Sequence, residues 1–230
     1  MSPATSDIVR LSNISRTFGQ GHGAVQVLKG IDLSVPSGRL IALKGRSGSG
    51  KTTLINLLGA LDRPTDGEIT FNGRNITHLS NQERDHIRKS EMGLIFQSFA
   101  LMPLMTAYEN VEFILRIAGV PAGRREEAVV HAMEQVGLKS RMHHRPFELS
   151  GGEQQRTAIA RAIAHKPKLL LADEPTAELD TRTGLQIVKV FRDLVERGKM
   201  TIVMTTHDPA IMELVDLVYE LEDGRIVAKA

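Results

Sequence analysis

A glycine-rich loop that directly follows an apolar run constrains this chain more than any other feature. Residues 40–43 are continuously apolar, which is typical of a strand buried on both faces of a parallel sheet. The next residues run Gly45-Arg46-Ser47-Gly48-Ser49-Gly50-Lys51-Thr52 and match the pattern G-x-x-x-x-G-K-[ST] at every defined position. Glycines let several backbone N–H groups turn toward one phosphate, and a helix beginning near Lys51 adds the positive end of its dipole. The sequence therefore predicts an α/β fold with a parallel sheet and a nucleotide triphosphate site.

Polar residues at the ends of two other apolar runs complete the predicted site. Asp173 and Glu174 follow residues 169–172, and His207 follows the run that begins at residue 201. Because the carboxyl ends of parallel strands face one crevice, we expect these side chains to meet the phosphate loop. Lys51 is suited to the β and γ phosphates, Thr52 and Asp173 to Mg²⁺, and Glu174 to polarising the attacking water. Thr53, the next residue in the chain, is also expected to bind the nucleotide. His207 is suited to form a hydrogen bond with the γ-phosphate.

Weaker patterns organise the rest of the chain. β-forming segments between residues 8 and 35, a strand over residues 66–73 and a terminal hairpin at Asp223-Gly224 predict a small antiparallel β layer. Apolar periodicity predicts one helix that ends at Gly137 and another that ends at Gly198. No strong strand pattern occurs between residues 98 and 148, so this stretch is predicted to be a helical insertion between two halves of the core.

Composition limits the other functions. Lys and Arg number 29 against 27 Asp and Glu, for a net charge of +2, so bulk charge gives no support to nucleic-acid binding. The chain has no cysteine, which excludes disulfides, thiolate metal sites and cysteine nucleophiles and fits a reducing compartment. Residues 1–7 do not resemble a secretory signal, and no run approaches the roughly 20 apolar residues of a membrane span. We therefore expect an intracellular protein that needs a partner for any membrane role.

A further segment makes the chain recognisable. Leu149-Ser150-Gly151-Gly152-Glu153-Gln154-Gln155-Arg156 resembles the signature motif of ATP-binding cassette (ABC) ATPases. Other motifs of that family follow in order along the chain: Phe18 resembles the adenine-stacking aromatic, residues 45–52 Walker A, Gln97 the Q-loop glutamine, residues 169–174 Walker B, Leu179-Asp180 the D-loop, and His207 the switch histidine. The resemblance implies a P-loop NTPase (ABC ATPase) core with a parallel sheet, an N-terminal antiparallel β layer and a helical insertion subdomain. It implies a single domain over residues 1–230, with the core and β layer at 1–97 and 149–230 and the helical subdomain at 98–148.

The resemblance also implies a mechanism. Two copies pair head to tail, and each ATP lies between the Walker A loop of one copy and Ser150, Gly151 and Gly152 of the other. Asp180 is also expected to bind the nucleotide. Glu174, His207 and Gln97 would be catalytic, and Thr52, Gln97 and Asp173 would hold Mg²⁺. The implied partners are a second copy and an integral membrane permease, with no nucleic acid, at the cytoplasmic face of the cell membrane.

The segment at residues 104–111 resembles the branch that serves macrolide efflux, lipoprotein release and antimicrobial-peptide resistance. This branch predicts an exporter or extractor of peptides, lipoproteins or amphiphilic drugs. The sequence leaves open an ATPase that drives transmembrane signalling or force transmission without transport.

Two positions depart from the commonest family pattern. Phe18 replaces the more usual Tyr and so lacks a hydroxyl. Glu178 adds a negative charge in the D-loop, which predicts weaker or more salt-sensitive pairing of the two copies.

Overall fold

The computed structural model describes residues 7–198 and 200–230. The expectation about residues 1–6 lies outside this part of the chain. The described residues form two sheets and seven α-helices, and the buried apolar side chains of these elements form two clusters.

The larger sheet forms the centre of the molecule. Within the described residues it has six strands in the order β10-β9-β3-β8-β7-β6. Their bounds are β3 Leu40–Lys44, β6 Met92–Ile95, β7 Leu169–Ala172, β8 Thr201–Thr206, β9 Leu217–Glu222 and β10 Arg225–Lys229. Strands β9, β3, β8, β7 and β6 are parallel neighbours, and β10 pairs antiparallel with β9. The continuous apolar runs of β3 and β7 are buried on both faces, as a parallel sheet requires.

The predicted antiparallel β layer is the second sheet. In the described residues it contains four strands in the order β2-β1-β4-β5, namely β1 Asp7–Phe18, β2 Val25–Pro36, β4 Asp66–Phe71 and β5 Arg74–Asn75. Strands β1 and β2 are both longer than the sequence predicts. Strand β2 continues through Gly30, although this residue has a φ of +64°. An irregular residue in a strand therefore does not end it here.

Helices surround the large sheet, some in contact with its strands and others packed on a neighbouring helix. They are α1 Lys51–Leu58, α2 Asn81–Glu91, α3 Ala107–Ile117, α4 Ala122–Gln135, α5 Gly151–Ile163, α6 Thr181–Gly198 and α7 Pro209–Met212. The predicted helices that end near Gly137 and Gly198 are α4 and α6. The sequence does not predict helix α2, because this helix lacks an apolar run. No helix in the described part of the chain is long and apolar enough to cross a membrane.

The sequence predicts the terminal hairpin in the antiparallel β layer, but the hairpin belongs to the large sheet. Strands β9 and β10 form the edge of the large sheet, because Leu217 to Glu220 of β9 pair parallel with β3. Tyr219 and Leu221 are buried there, so the apolar side chains of β9 decide its position. Strand β6 was also missed, since its four residues give too short a pattern.

The predicted helical stretch at residues 98–148 contains α3 and α4. Their buried side chains, including Val111, Leu115, Val129 and Met133, belong to one cluster with Ile159 of α5 and with Leu170 of β7. This stretch therefore shares an apolar core with α5 and the sheet. The division at residues 97/98 and 148/149 stays a prediction.

Candidate nucleotide site

A cavity of about 860 Å³ lies along the carboxyl edge of the central sheet. The residues that line it come from five places in the sequence. They are Val27, the loop residues Gly45, Arg46, Ser47, Gly48, Gly50, Lys51, Thr52 and Thr53, and then Gln97, Asp173, Glu174 and His207. The structure thus brings together most of the residues selected from the sequence.

The phosphate loop is held by its own lysine. Lys51 Nζ donates to the carbonyls of Gly45 at 2.8 Å and Arg46 at 3.1 Å, and the residue is only 7% exposed. The same ammonium lies 3.9 Å from Glu174 Oε1. A buried cation therefore stands between the loop and the end of β7, where a triphosphate would bring negative charge.

The turn into α1 requires glycine at position 50. Gly50 precedes α1 with a φ of +106°, and a Cβ there would meet Leu28 Cδ2 at 2.8 Å. A side chain would be strained by the backbone angle and would collide with the β layer. Ser49 is buried behind the loop, where its carbonyl accepts a hydrogen bond from Gly224 N–H at 3.2 Å.

Two carboxylates end β7 and are joined to β8 by one hydroxyl. Thr205 Oγ1 donates to Asp173 Oδ1 at 2.7 Å and accepts from Glu174 N–H at 2.7 Å. Glu174 has a left-handed φ of +46°, which is uncommon for a residue with a side chain. Such strain costs about 1–3 kcal/mol and persists where surrounding contacts impose it. Thr205 is one such contact, and the sequence reading did not assign it a role.

Gln97 and His207 are exposed residues that line the cavity from different elements. Gln97 lies just beyond β6, and His207 follows β8. The chain after Gln97 is anchored to α5, because Arg161 donates to the carbonyls of Ala100 at 2.6 Å and Phe99 at 3.1 Å.

The signature residues lie outside the cavity at the start of α5. Ser150 is exposed and caps this helix: its Oγ accepts from Glu153 N–H at 3.3 Å, while Glu153 Oε2 accepts from Ser150 N–H at 2.9 Å. The Ser150 N–H group is the main reason that the pKa of Glu153 is lowered. A Cβ on Gly152 would meet Thr183 Cγ2 at 2.6 Å, so this helix start packs closely on α6. Within one chain, therefore, Ser150, Gly151 and Gly152 do not share the cavity of Lys51.

Two further predicted residues also lie apart from this cavity. Asp180 caps α6 by accepting from Thr183 Oγ1 at 2.6 Å and Thr183 N–H at 3.0 Å, and these bonds lower its pKa. It lines a smaller neighbouring cavity that Glu174 and His207 also line. Phe18 ends β1 and is 42% exposed.

Gln155 is a second residue near the site to which the sequence analysis assigns no function. It is fully buried on α5, and its Nε2 donates to the carbonyl of Pro175 at 2.7 Å. The signature helix is thereby tied to the residue that follows Glu174. Long-range contacts of this kind give no local sequence signal.

The residues chosen for Mg²⁺ are chemically suitable. Thr52, Gln97 and Asp173 offer only oxygen ligands and line one cavity, and Mg²⁺ prefers oxygen ligands with few from protein when phosphates supply the rest. Among the described residues there is no group of three or more His, Asp or Glu side chains that could hold a metal alone. The three oxygen donors fit a magnesium ion whose other ligands are phosphate oxygens.

Comparison with known proteins agrees with this geometry. The family described as ABC transporter matches residues 28–177. The lipoprotein-releasing system ATP-binding protein LolD of Legionella pneumophila is 42% identical over 97% of this chain and 99% of that protein. The macrolide export ATP-binding/permease protein MacB of Marinobacter nauticus is 42% identical over 99% of this chain and 35% of that protein, so the chain spans about a third of MacB.

A solved structure gives the same fold. A dimeric ATP-binding cassette in a post-hydrolysis state, bound to ADP and Pi, superposes with a TM-score of 0.87 at 35% identity. The match covers 96% of this chain and 97% of that one.

Proposed function

We propose that two copies of this chain, which belongs to the ABC transporter family, clamp ATP between them and drive an exporter or extractor in a membrane. The chain is the ATP-hydrolysing subunit of an ABC transporter. The proposal adds which residues act, how the copies pair and what class of molecule is moved. The observation that carries it is the meeting of Lys51, Gln97, Asp173, Glu174 and His207 in one cavity, with the glycine start of α5 left outside it.

Pairing follows from the two separate helix starts. Helices α1 and α5 each begin with backbone N–H groups that have no carbonyl partner within the helix, and such a helix start suits an anion. One phosphate cannot reach both within a chain, since the signature residues do not line the cavity. A second copy in head-to-tail orientation supplies Ser150, Gly151 and Gly152 to the same triphosphate. The dimeric cassette bound to ADP and Pi supports this arrangement.

Hydrolysis is assigned to the edge of β7 and β8. Glu174 would orient and deprotonate the attacking water, His207 would hydrogen-bond the γ-phosphate, and Lys51 would bind the β and γ phosphates through charge-assisted bonds. Thr52, Gln97 and Asp173 would hold Mg²⁺, which neutralises charge on the phosphates. Asp180 would lie close to the other copy, and Phe18 would stack on the adenine.

The transported class and the partner come from the relatives. One relative is named for lipoprotein release and another for macrolide export with a permease in the same protein. We propose that this chain binds a separate permease at the cytoplasmic face of the membrane and moves peptides, lipoproteins or amphiphilic drugs outward. The segment from Gln97 into α3 is proposed to contribute to the permease contact.

The test is a Glu174→Gln variant. The amide keeps the shape of the side chain and removes the base, so turnover should fall by about 10²- to 10⁴-fold while ATP binding remains. Size-exclusion chromatography with ATP should then show a dimer that persists. Glu220→Gln is the matched control, because it makes the same carboxylate-to-amide change in a side chain that forms an ion pair with Lys44 on the neighbouring strand. Rapid turnover by Glu174→Gln would remove Glu174 from this role.

The head-to-tail arrangement has its own test. The chain has no cysteine, so introduced cysteines crosslink without background. Ser47→Cys and Ser150→Cys, placed on separate copies in the Glu174→Gln background and mixed, should form a disulfide-linked dimer only with ATP. Failure of the mixed pair to crosslink with ATP would exclude the shared site.

A further inference from the structure

One face of the Phe18 ring is covered by a cation. The guanidinium carbon of Arg16 lies 4.2 Å from the ring centroid. Phe18 is paired with Val25 of β2, and Val27, two residues further, lines the nucleotide cavity. Opposed residues of paired strands share a face, as do alternate residues of one strand. The ring and the cavity thus lie on the same side of this sheet.

The guanidinium of Arg16 is itself fixed in place. Its Nε donates to Asp62 Oδ2 at 2.7 Å and its Nη2 to Asp62 Oδ1 at 2.9 Å, while Nη1 donates to the Thr17 carbonyl at 3.1 Å. Such two-bond pairing of arginine with a carboxylate sets the orientation of the planar group as well as its position. Arg16 therefore cannot leave the ring without breaking this pairing.

Asp62 is anchored from the other direction. Its carbonyl accepts from Arg84 Nη2 at 2.8 Å, and Arg84, on α2, is only 7% exposed and also donates twice to the Ala60 carbonyl. A continuous set of contacts therefore runs from α2 through the loop after α1 to Arg16 and the ring. Surface ion pairs rarely have this much support.

We infer that Arg16 is a positioning residue for the nucleotide base. It fixes the Phe18 ring so that the uncovered face stacks on the adenine. The inference rests on the proposed function, because it takes Phe18 as the adenine-stacking residue. Phe18 has no hydroxyl with which to anchor its own ring, and a ring held in advance loses less freedom when the base binds. Arg16 supplies the anchor that the side chain lacks.

The experiment compares two ligands that differ in the base. Arg16→Ala should weaken binding of Mg-ATP by about three- to tenfold in calorimetry, since a guanidinium–aromatic contact contributes on this scale. Binding of inorganic triphosphate with Mg²⁺, which has no base, should change by less than about twofold. KM for ATP should rise while kcat at saturating ATP is retained. Arg16→Lys keeps a charge but loses the paired bonds to Asp62, so it should give an intermediate loss.

Arg10→Ala is the matched control. Arg10 lies on the same strand and forms a 2.8 Å ion pair with Asp7, but it is not placed over a ring. It should leave both ligands unaffected. If Arg16→Ala weakens ATP and triphosphate equally, or weakens neither, the inference is wrong.

Phe18→Ala separates this inference from the proposed function. Wild-type ATP affinity in Phe18→Ala would overturn the assignment of Phe18 to the base. A loss in Phe18→Ala together with wild-type affinity in both Arg16 variants would overturn only the role of Arg16. Thermal melting of each variant confirms that a loss of binding is measured on folded protein.

Discussion

The Thr205 hydroxyl joins the two carboxylate residues of the site. It donates to Asp173 and accepts from the N–H of Glu174, both at 2.7 Å, and it is fully buried. The second bond holds the backbone of a residue that is strained. A single oxygen therefore controls both the direction of Asp173 and the conformation of Glu174.

Thr205→Val should damage catalysis more than stability. The substitution keeps the shape and removes both hydrogen bonds, which costs about 1–3 kcal/mol of unfolding free energy. We expect kcat to fall more than about tenfold, because small displacements of reacting groups are costly. Thr201→Val is the control at the other end of β8, where the buried hydroxyl accepts from Gly38 N–H at 2.9 Å. Denaturant melts and steady-state ATPase rates compare the two, and equal kcat loss would contradict the role of Thr205.

Sequence reasoning found the residues whose types the chemistry demands. Lys51, Asp173 and Glu174 occur in a local pattern at strand ends, so their meeting in one cavity could be predicted. Thr205 and Gln155 could not be assigned in this way, because each acts through a partner 20 or more residues distant. Nothing in their immediate surroundings distinguishes them from ordinary buried polar residues.

Three helices begin with the same reciprocal cap. Ser80 with Glu83, Thr106 with Glu109 and Ser150 with Glu153 each exchange a hydroxyl and a carboxylate with backbone N–H groups. In the first and third, the distance from the serine Oγ to the N–H group is 3.3 Å. Only the third lies at the proposed contact between copies.

Ser150→Ala and Ser80→Ala should therefore have equal effects on stability and different effects on function. Each removes an N-terminal cap, which costs about 1 kcal/mol. Only Ser150→Ala should weaken the ATP-dependent dimer formed in the Glu174→Gln background, as measured by sedimentation. Equal dimer affinity in both variants would show that Ser150 serves only its own helix.

The caps also predict a response to pH. The pKa values of Glu83, Glu109 and Glu153 are lowered, in each case mainly by the backbone N–H of the capping residue. A lowered folded-state pKa stabilises the fold above the usual value of 4.5, and this stabilisation is lost as pH falls through the folded pKa. Replacing all three by Gln should flatten the fall in Tm between about pH 6 and pH 3. Replacing the exposed Glu68, Glu127 and Glu196 by Gln is the control, and an equally steep fall in both would contradict the expectation.

Among the strands and helices, prediction succeeded where the apolar pattern was long or continuous. The strands β3, β7 and β8 and the helices α4 and α6 were found because their side chains are buried in regular order. Helix α2 is stabilised by its cap and by Arg84 rather than by an apolar face, so periodicity misses it. The terminal hairpin was misplaced because its pattern reveals the pairing of β9 with β10 but not the pairing of β9 with β3.

The negative charge of Glu178 in the D-loop is expected to affect the pairing of two copies. Glu178 is exposed and lies close in sequence to Asp180, which we propose to be near the second copy. Glu178→Asn should tighten the ATP-dependent dimer at low salt and make it less sensitive to salt, because screening no longer relieves a repulsion. Sedimentation in the Glu174→Gln background at two salt concentrations measures this, with Glu196→Asn as control. Unchanged affinity would contradict the expectation.

The turn between β9 and β10 touches the phosphate loop. Gly224 N–H donates to the carbonyl of Ser49, and its own carbonyl accepts from Lys29 N–H at 2.8 Å, so this late turn braces both the loop and the β layer. The phosphate loop and the turn that braces it lie far apart in the sequence, so the loop gains this support only when the later strands have been made. Nascent chains stalled before residue 224 should accordingly lack the brace and retain nucleotide poorly.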